Sequence, residues 1–297
     1  MKLSLGTWAF SFGPYASQPW ELPKVLEFTA RAGYDGVELN GFRPHPHPDD
    51  YNSPERCREL VRQIGSYGLG ISGYAPDFSM APPALVDTAA YMEQFEKSLR
   101  FCVNCGIRTL RIDTASPPDA LAPQEYEMRF ARLVHTWQTA AAAAWKDGVT
   151  VVWEFEPGFW LNKPSEVKRL VETVGHPGFK VLFDPSHAYM GAVVGARHTG
   201  EKETLPGGVV EYAELLIDHI GHFHLIDSDG TLHDEETSAH AHFGQGHVDF
   251  KALLTAVKPV ISKLPWWGVD YCFNVDVEQD AAEAVTYIRN LAKEVMP

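Results

Sequence analysis

The chain has 297 residues, 45% of them hydrophobic and 22% charged, a composition that excludes disorder and supplies apolar mass for a large core. Its formal net charge of -14 gives an average surface that repels a phosphate backbone, so nucleic acid is excluded as an expected partner. No apolar run reaches the length of a bilayer span, and the start goes into a strand pattern without a signal-peptide layout, so a cytoplasmic chain with no membrane partner is expected.

In chain order, short β-branched or apolar runs alternate with longer amphipathic ones. The first strand, 3–10, is not followed by GxGxxG, which disfavours a dinucleotide fold, and no GxxxxGK[ST] occurs anywhere. A helix at 20–32, a strand at 36–41 and a helix at 54–67 follow, with a Pro-rich connection from Arg43 to Asp50 between the last two. After a strand at 69–74, the spacing of Tyr91, Met92, Phe95, Leu99, Cys102 and Val103 predicts a helix over 87–105, stopped by Gly106. Cys102 and Cys105 form a CxxC inside that helix, where ordinary buried thiols are expected. Strands at 107–113, 149–156, 179–184, 220–227 and 267–273 alternate with helices at 124–147, 164–175, 208–218, 249–262 and 279–295. Eight βα repeats without a linker or composition shift predict an α/β chain folded as one (β/α)8 TIM barrel over residues 1–297. The connections Arg43–Asp50 and Met190–Gly207 then fall on the catalytic face as candidate lids and substrate walls.

Four metal-type side chains stand near the ends of the late strands: Glu154, Asp184, His224 and Asp270. Carboxylates and imidazole at the tips of successive barrel strands converge where a divalent cation could sit over a substrate. Glu154 and Glu156 flank Phe155 and share the inward side, and two inward carboxylates need cations or protons to stabilise them. Asp184 ends its strand before Pro185, and His187 reaches back over the same mouth. His222 and His224 share one face with Asp227 at the tip, and either imidazole could bind a metal. Asp270 is the one charged residue in an otherwise apolar strand, although Asp276, Glu278 and Asp280 follow soon after. His240, in the Gly-rich loop after strand seven, is a candidate for substrate hydroxyls, whereas a second zinc site from His233, His240 and His242 is disfavoured. Trp8, Glu38, Tyr74 and Trp160 lie near strand ends and could form a sugar-stacking wall.

The motifs GYDGVE (33–38), EFEPG (154–158), FDPSH (183–187), HFHLID (222–227) and FGQG (243–246) resemble those of the xylose-isomerase-like TIM-barrel superfamily. That group comprises sugar phosphate isomerases and epimerases, with ketose 3-epimerases, hydroxypyruvate isomerase, inosose dehydratase and AP endonuclease IV relatives among them. The resemblance implies one divalent ion, Mn foremost with Mg, Co or Zn as alternatives, held by Glu154, Asp184, His224 and Asp270. Glu154 is preferred over Glu156 because it stands three residues before Pro157, and His224 over His222 because it precedes Leu-Ile-Asp. The departure is Asp270, where the family usually has Glu; one methylene shorter, it binds through water or yields its role to a base elsewhere.

The resemblance further implies proton abstraction next to a carbonyl through a metal-stabilised enediolate, with Glu154, Glu156, His187 and Asp270 as catalytic candidates. Trp8, Glu38, His187, His222, Asp227 and His240 are the candidates for contact with a sugar or oxo-sugar, and family habit allows a homo-oligomer. A second reading is a lyase or dehydratase acting on 3-oxo-glycosides or inososes by β-elimination, as in related C-glycoside deglycosidases. A phosphorylated substrate is not expected, since no arginine cluster or phosphate loop accompanies the late strands. A nuclease would need a basic face and more ligands than the strand tips offer, and a barrel that only binds sugar would keep binding without Glu154 or Asp184.

Overall fold

The computed structural model describes residues 1–296. Eight parallel strands, β1 (Lys2–Gly6), β2 (Gly36–Asn40), β3 (Gly70–Ala75), β4 (Thr109–Ile112), β5 (Thr150–Glu154), β6 (Phe179–Phe183), β7 (Ile220–Leu225) and β10 (Trp266–Val269), close a barrel. Between the last two, β8 (Leu232–His233) and β9 (Thr237–Ser238) form a small antiparallel hairpin. The helices are α1 (Leu22–Ala32), α2 (Pro54–Ser66), α3 (Thr88–Cys105), α4 (Tyr126–Lys146), α5 (Pro164–Val174), α6 (Pro185–Tyr189), α7 (Gly208–Leu215), α8 (Phe250–Ile261) and α9 (Val277–Val295). No described helix is long and apolar enough to cross a membrane.

Strand parity explains both sides of the sheet. In β7, Phe223 faces outward, stacking on Phe183 at 5.8 Å, while His222 and His224 point into the barrel towards Glu38. In β5, Trp153 packs outward on Trp137 of α4, so Glu154 turns inward. The helices start and stop where local chemistry dictates. Asp87 caps α3 by accepting from the Ala90 N–H at 2.8 Å, and Gly106 ends that helix at φ 72°, a conformation that glycine adopts without strain.

Several strands end earlier than their periodicity predicts. β1 stops at Gly6, and Thr7–Phe10 form a 3-10 turn, because the Trp8 ring folds back so closely that a Cβ on Gly6 would lie 2.2 Å from it. β5 ends at Glu154 and β10 at Val269, leaving Glu156 and Asp270 just past their strands. The expected lid segments are corrected too. Residues 190–207 open with a π turn over Met190–Val194 that buries Met190 and Ala192 in the core. In 43–50, His45 is buried against Thr7 and the Trp20 carbonyl. Neither segment lines the cavity at the barrel mouth.

At the opposite end, the Trp266 ring covers Gly36 and Gly70, and a Cβ on Gly36 would meet that ring at 2.7 Å and the Gly70 carbonyl oxygen at 2.6 Å. Gly36→Ala is therefore expected to lower the unfolding free energy by about 1–3 kcal/mol in denaturant titration. Gly65→Ala, inside α2 where a Cβ meets nothing within 4 Å, is expected to leave it unchanged or raise it.

Candidate active site

Glu154 closes β5, Asp184 follows β6, His224 stands in β7 and Asp270 follows β10. All four are buried, and each offers one ligand atom within 4.8 Å of the others. The fold thus brings together the four residues expected at the strand tips, and Asp270 reaches the group despite its shorter side chain.

Each of the four is held by one of its polar atoms and turns another towards the centre. Arg111 Nε lies against Glu154 Oε2, while Glu154 Oε1 has no hydrogen-bond partner. Asp184 Oδ1 accepts from the Ser186 and His187 N–H groups at 2.7 and 3.0 Å, capping α6, while Oδ2 is unpartnered. The helix cap therefore uses one oxygen of this carboxylate and leaves the other available to a cation. Trp8 Nε1 donates to Asp270 Oδ1 at 2.5 Å, and Asp270 Oδ2 lies 3.6 Å from His224 Nδ1. His224 Nε2 faces Glu38 Oε2 at 3.3 Å. A carboxylate there keeps a proton on Nε2, and Nδ1 stands 3.0 Å from Glu154 Oε1 without hydrogen-bond geometry. Three carboxylate oxygens and one imidazole nitrogen, unpartnered or nearly so in a dry space, are a donor set that fits a hard or borderline divalent cation.

The electrostatics mark the same imbalance. Burial, then the charges of Asp270 and Glu154, push the Asp184 carboxyl well above the ordinary carboxylate range. Burial opposes a charged imidazole at His224, but Glu38 and Glu154 outweigh it and hold the group well above its usual range. Negative charge exceeds positive here, and a bound dication relieves the excess as protons otherwise do. Burial also raises Glu156 to about 8, with Glu154 and Asp113 adding to it against the pull of Arg111, and lowers His187 to about 4.

Above the cluster lies a cavity of about 250 Å³. Of the other expected residues, Trp8, Glu156, His187 and His240 line it. His187 Nδ1 pairs with Ser238 Oγ at 2.9 Å. His240 Nδ1 accepts from the Cys272 N–H at 2.9 Å, so its Nε2 carries the proton and stands as an unpartnered donor. Glu156 accepts from the Thr237 hydroxyl. The remaining candidates for substrate contact sit elsewhere. Glu38 and His222 lie beneath the cluster, paired at 2.8 Å and outside the cavity wall. Asp227 accepts from the N–H groups of Ser228, Gly244, Gly246 and Val248, so it organises the loop after β7. Tyr74 packs outward on Phe101 and Trp160 on Tyr126, so the expected stacking wall is not theirs.

Sequence reasoning missed Arg111. Its side chain is 19% exposed, and it lies against Glu154, 3.8 Å from Glu156 and 3.9 Å from Asp113. The signal was available in part: Arg111 stands between Leu110 and Ile112 in a predicted strand, where a cation needs a partner.

A family model described as xylose isomerase-like TIM barrel matches residues 26–291. No curated protein matches the chain. Among solved structures, a D-tagatose 3-epimerase-like protein superposes with a TM-score of 0.74 at 17% identity, covering 99% of this chain and 98% of that one. D-psicose 3-epimerase from Clostridium cellulolyticum H10 gives 0.72 at 15%, covering 98% and 99%. The probable 3-DHS dehydratase AsbF from Bacillus anthracis gives 0.71 at 17%, covering 98% and 99%. At such identities the likeness establishes the fold alone.

Gly268 pairs with His224 across the β10–β7 ladder, and a Cβ there would lie 2.7 Å from the His224 ring and 3.1 Å from Glu38 Oε2. Gly268→Ala is expected to displace the imidazole, so that any affinity of the cluster for a divalent cation, titrated calorimetrically with Mn as the probe, falls roughly 10-fold or more, with an unchanged far-UV circular dichroism spectrum.

Proposed function

The chain belongs to the xylose isomerase-like TIM-barrel family, and we propose that it is a divalent-metal-dependent sugar isomerase or epimerase that moves a proton next to a carbonyl. The observation that carries this reading is the convergence of Glu154, Asp184, His224 and Asp270 within 4.8 Å, with unpartnered atoms on Glu154, Asp184 and His224. Those four residues would hold one ion, with Mn, Mg, Co and Zn all compatible with the donors. When bound, such an ion supplies Lewis acidity that polarises a carbonyl and its neighbouring hydroxyl.

The protein's own groups do the rest. Glu154 and Asp270 line the cavity and come from strands that are not neighbours in the ring, an arrangement suited to removing and returning a proton on different faces of a substrate. Arg111 fixes Glu154, and Trp8 fixes Asp270, so that neither carboxylate swings away between turnovers. His187 and His240 line the same space and could bind substrate oxygens. Packed side chains keep bulk water from the floor, which strengthens each of these interactions.

One observation favours a lyase as the second reading. Glu156 is a further carboxyl on the cavity wall, outside the four-residue cluster and held by Thr237, so it can deliver a proton to a departing group while another carboxylate removes one. Incubation with Mn, ketoses and 3-oxo-glycosides in D2O separates the two. Deuterium in recovered sugar or its epimer supports the isomerase, and release of the substituent supports the lyase.

Asp184 gives the test of the ion itself. Asp184→Asn keeps an oxygen for the α6 cap but removes the charge, and is expected to lower Mn affinity roughly 100-fold or more while stability changes little. Asp184→Ala is expected to lose the ion and also about 1 kcal/mol of stability with the cap. Full metal content in purified Asp184→Asn, measured by elemental analysis, would overturn the assignment.

A further inference from the structure

The chain contains sixteen phenylalanines. Twelve are buried in the core. The four that are not, Phe12, Phe42, Phe159 and Phe273, arise from the loops after β1, β2, β5 and β10, and all four line the cavity over the acidic cluster. Apolar residues left on a surface are ordinarily scattered; four rings from four loops around one opening form a binding surface.

Three of the rings are held in place. Phe12 meets Phe42 edge to face, with centroids 5.3 Å apart at 80°, and Phe273 at 6.0 Å and 41°. Phe273 in turn stacks on His233 at 4.2 Å and 11°. Phe273 adopts φ 61°, a left-handed conformation that strains a bulky residue and persists only where the surroundings enforce it. Gly13 supplies the room, since a Cβ there would lie 2.7 Å from the Phe273 Cα. Yet Phe42 remains 37% exposed, so the rings do not simply bury one another.

The cavity therefore combines a floor of carboxylates and imidazoles with an upper zone of four hydrocarbon rings, with Asp113, Glu236 and Thr237 as further polar lining. We propose that the upper zone is a subsite for an aromatic substituent, so that the substrate is an oxo-sugar carrying an aryl aglycone and not a free ketose. This rests on the floor being a metal-assisted oxo-sugar site. A second sugar ring fits the wall less well. Its hydroxyls would face four side chains with no hydrogen-bonding group, and the nearby Asn40 amide is already committed to Ser11 and the Phe42 N–H. Rings 5–6 Å apart in edge-to-face and tilted array extend naturally to one more ring.

The test uses the Mn-loaded full chain and calorimetric titration with the phenyl and methyl 3-oxo-β-glucosides and 3-oxo-cellobiose, alongside phenol followed by saturation-transfer NMR. The phenyl compound is expected to bind at least 10-fold more tightly than the methyl one. Phe42→Ala, and Phe273→Leu, which retains apolar volume, are expected to narrow that ratio to within twofold. Equal binding of phenyl and methyl compounds, tightest binding of the cellobiose derivative, or a phenyl preference that survives both substitutions would overturn the subsite. If phenol docks and responds to Phe42→Ala while no glucoside binds, the floor has been misassigned and the subsite stands. If the methyl compound binds in a Mn-dependent manner without any gain from the phenyl group, the floor stands and the subsite fails.

Discussion

Burying several carboxylates in one dry space is the constraint around which the rest of this barrel is arranged. Glu38, Glu154, Asp184 and Asp270 are all buried, and the cost of removing such charges from water is several kcal/mol each unless positive charge and hydrogen bonds offset it. The protein supplies only part of the offset. Arg111 takes one oxygen of Glu154, two backbone N–H groups take one of Asp184, Trp8 takes one of Asp270, and Glu38 takes the Nε2 side of His224. What remains is a set of oriented donor atoms around a common centre. That division would suit a ligand shell prepared in advance of an ion: each residue is locked by its outer atom so that its inner atom has few alternatives.

The strand-tip group was legible in the sequence because two periodicities agreed. Period-two alternation put Glu154 and His224 on the inner face of their strands, and the βα repeat put their strand ends on one side of the barrel. Alternation states a residue's face but not its depth. Glu38 and His222 have the expected parity, yet sit one layer below the cavity, and nothing in a single sequence records that layer. The strand ends were overrun at Trp8, Glu156 and Asp270 because β-forming residues continue past the point where a ring or a bend breaks the ladder. Arg111 was only partly readable by the argument that singled out Asp270, since Arg108 and Asp113 share its predicted strand. The ring of phenylalanines was not: its members lie as far apart as Phe12 and Phe273, and only barrel closure makes them neighbours.

Asp227 shows how a buried carboxylate can serve the site without touching it. By accepting from four backbone N–H groups it fixes the loop after β7 in one conformation, and a Cβ on Gly246 would lie 2.3 Å from its Oδ1, so the loop must carry glycine there. The same loop carries Thr237 to Glu156, Ser238 to His187 and His240 to the Cys272 N–H. A segment with only two short strands of its own thus becomes a rigid wall, positioning three polar contacts of the cavity through one internal anion.

The charge balance of the cavity also bears on what it can hold. Among the described residues, Arg111 is the only arginine or lysine on the cavity wall, and it already faces Glu154, Glu156 and Asp113. An incoming phosphate or carboxylate would have to draw that guanidinium away from three acidic neighbours and then sit beside them, in a space where such repulsion is weakly screened. A neutral polyol meets neither penalty: its hydroxyls can exchange hydrogen bonds with His187, His240 and the carboxylates, and its carbonyl can approach the donor cluster. On the proposed reading, the excess acidity that would recruit a cation to the floor would also select an uncharged head group. Hydrocarbon rings higher on the wall would complete that selection, since they offer favourable burial to an apolar end and nothing to a charged one.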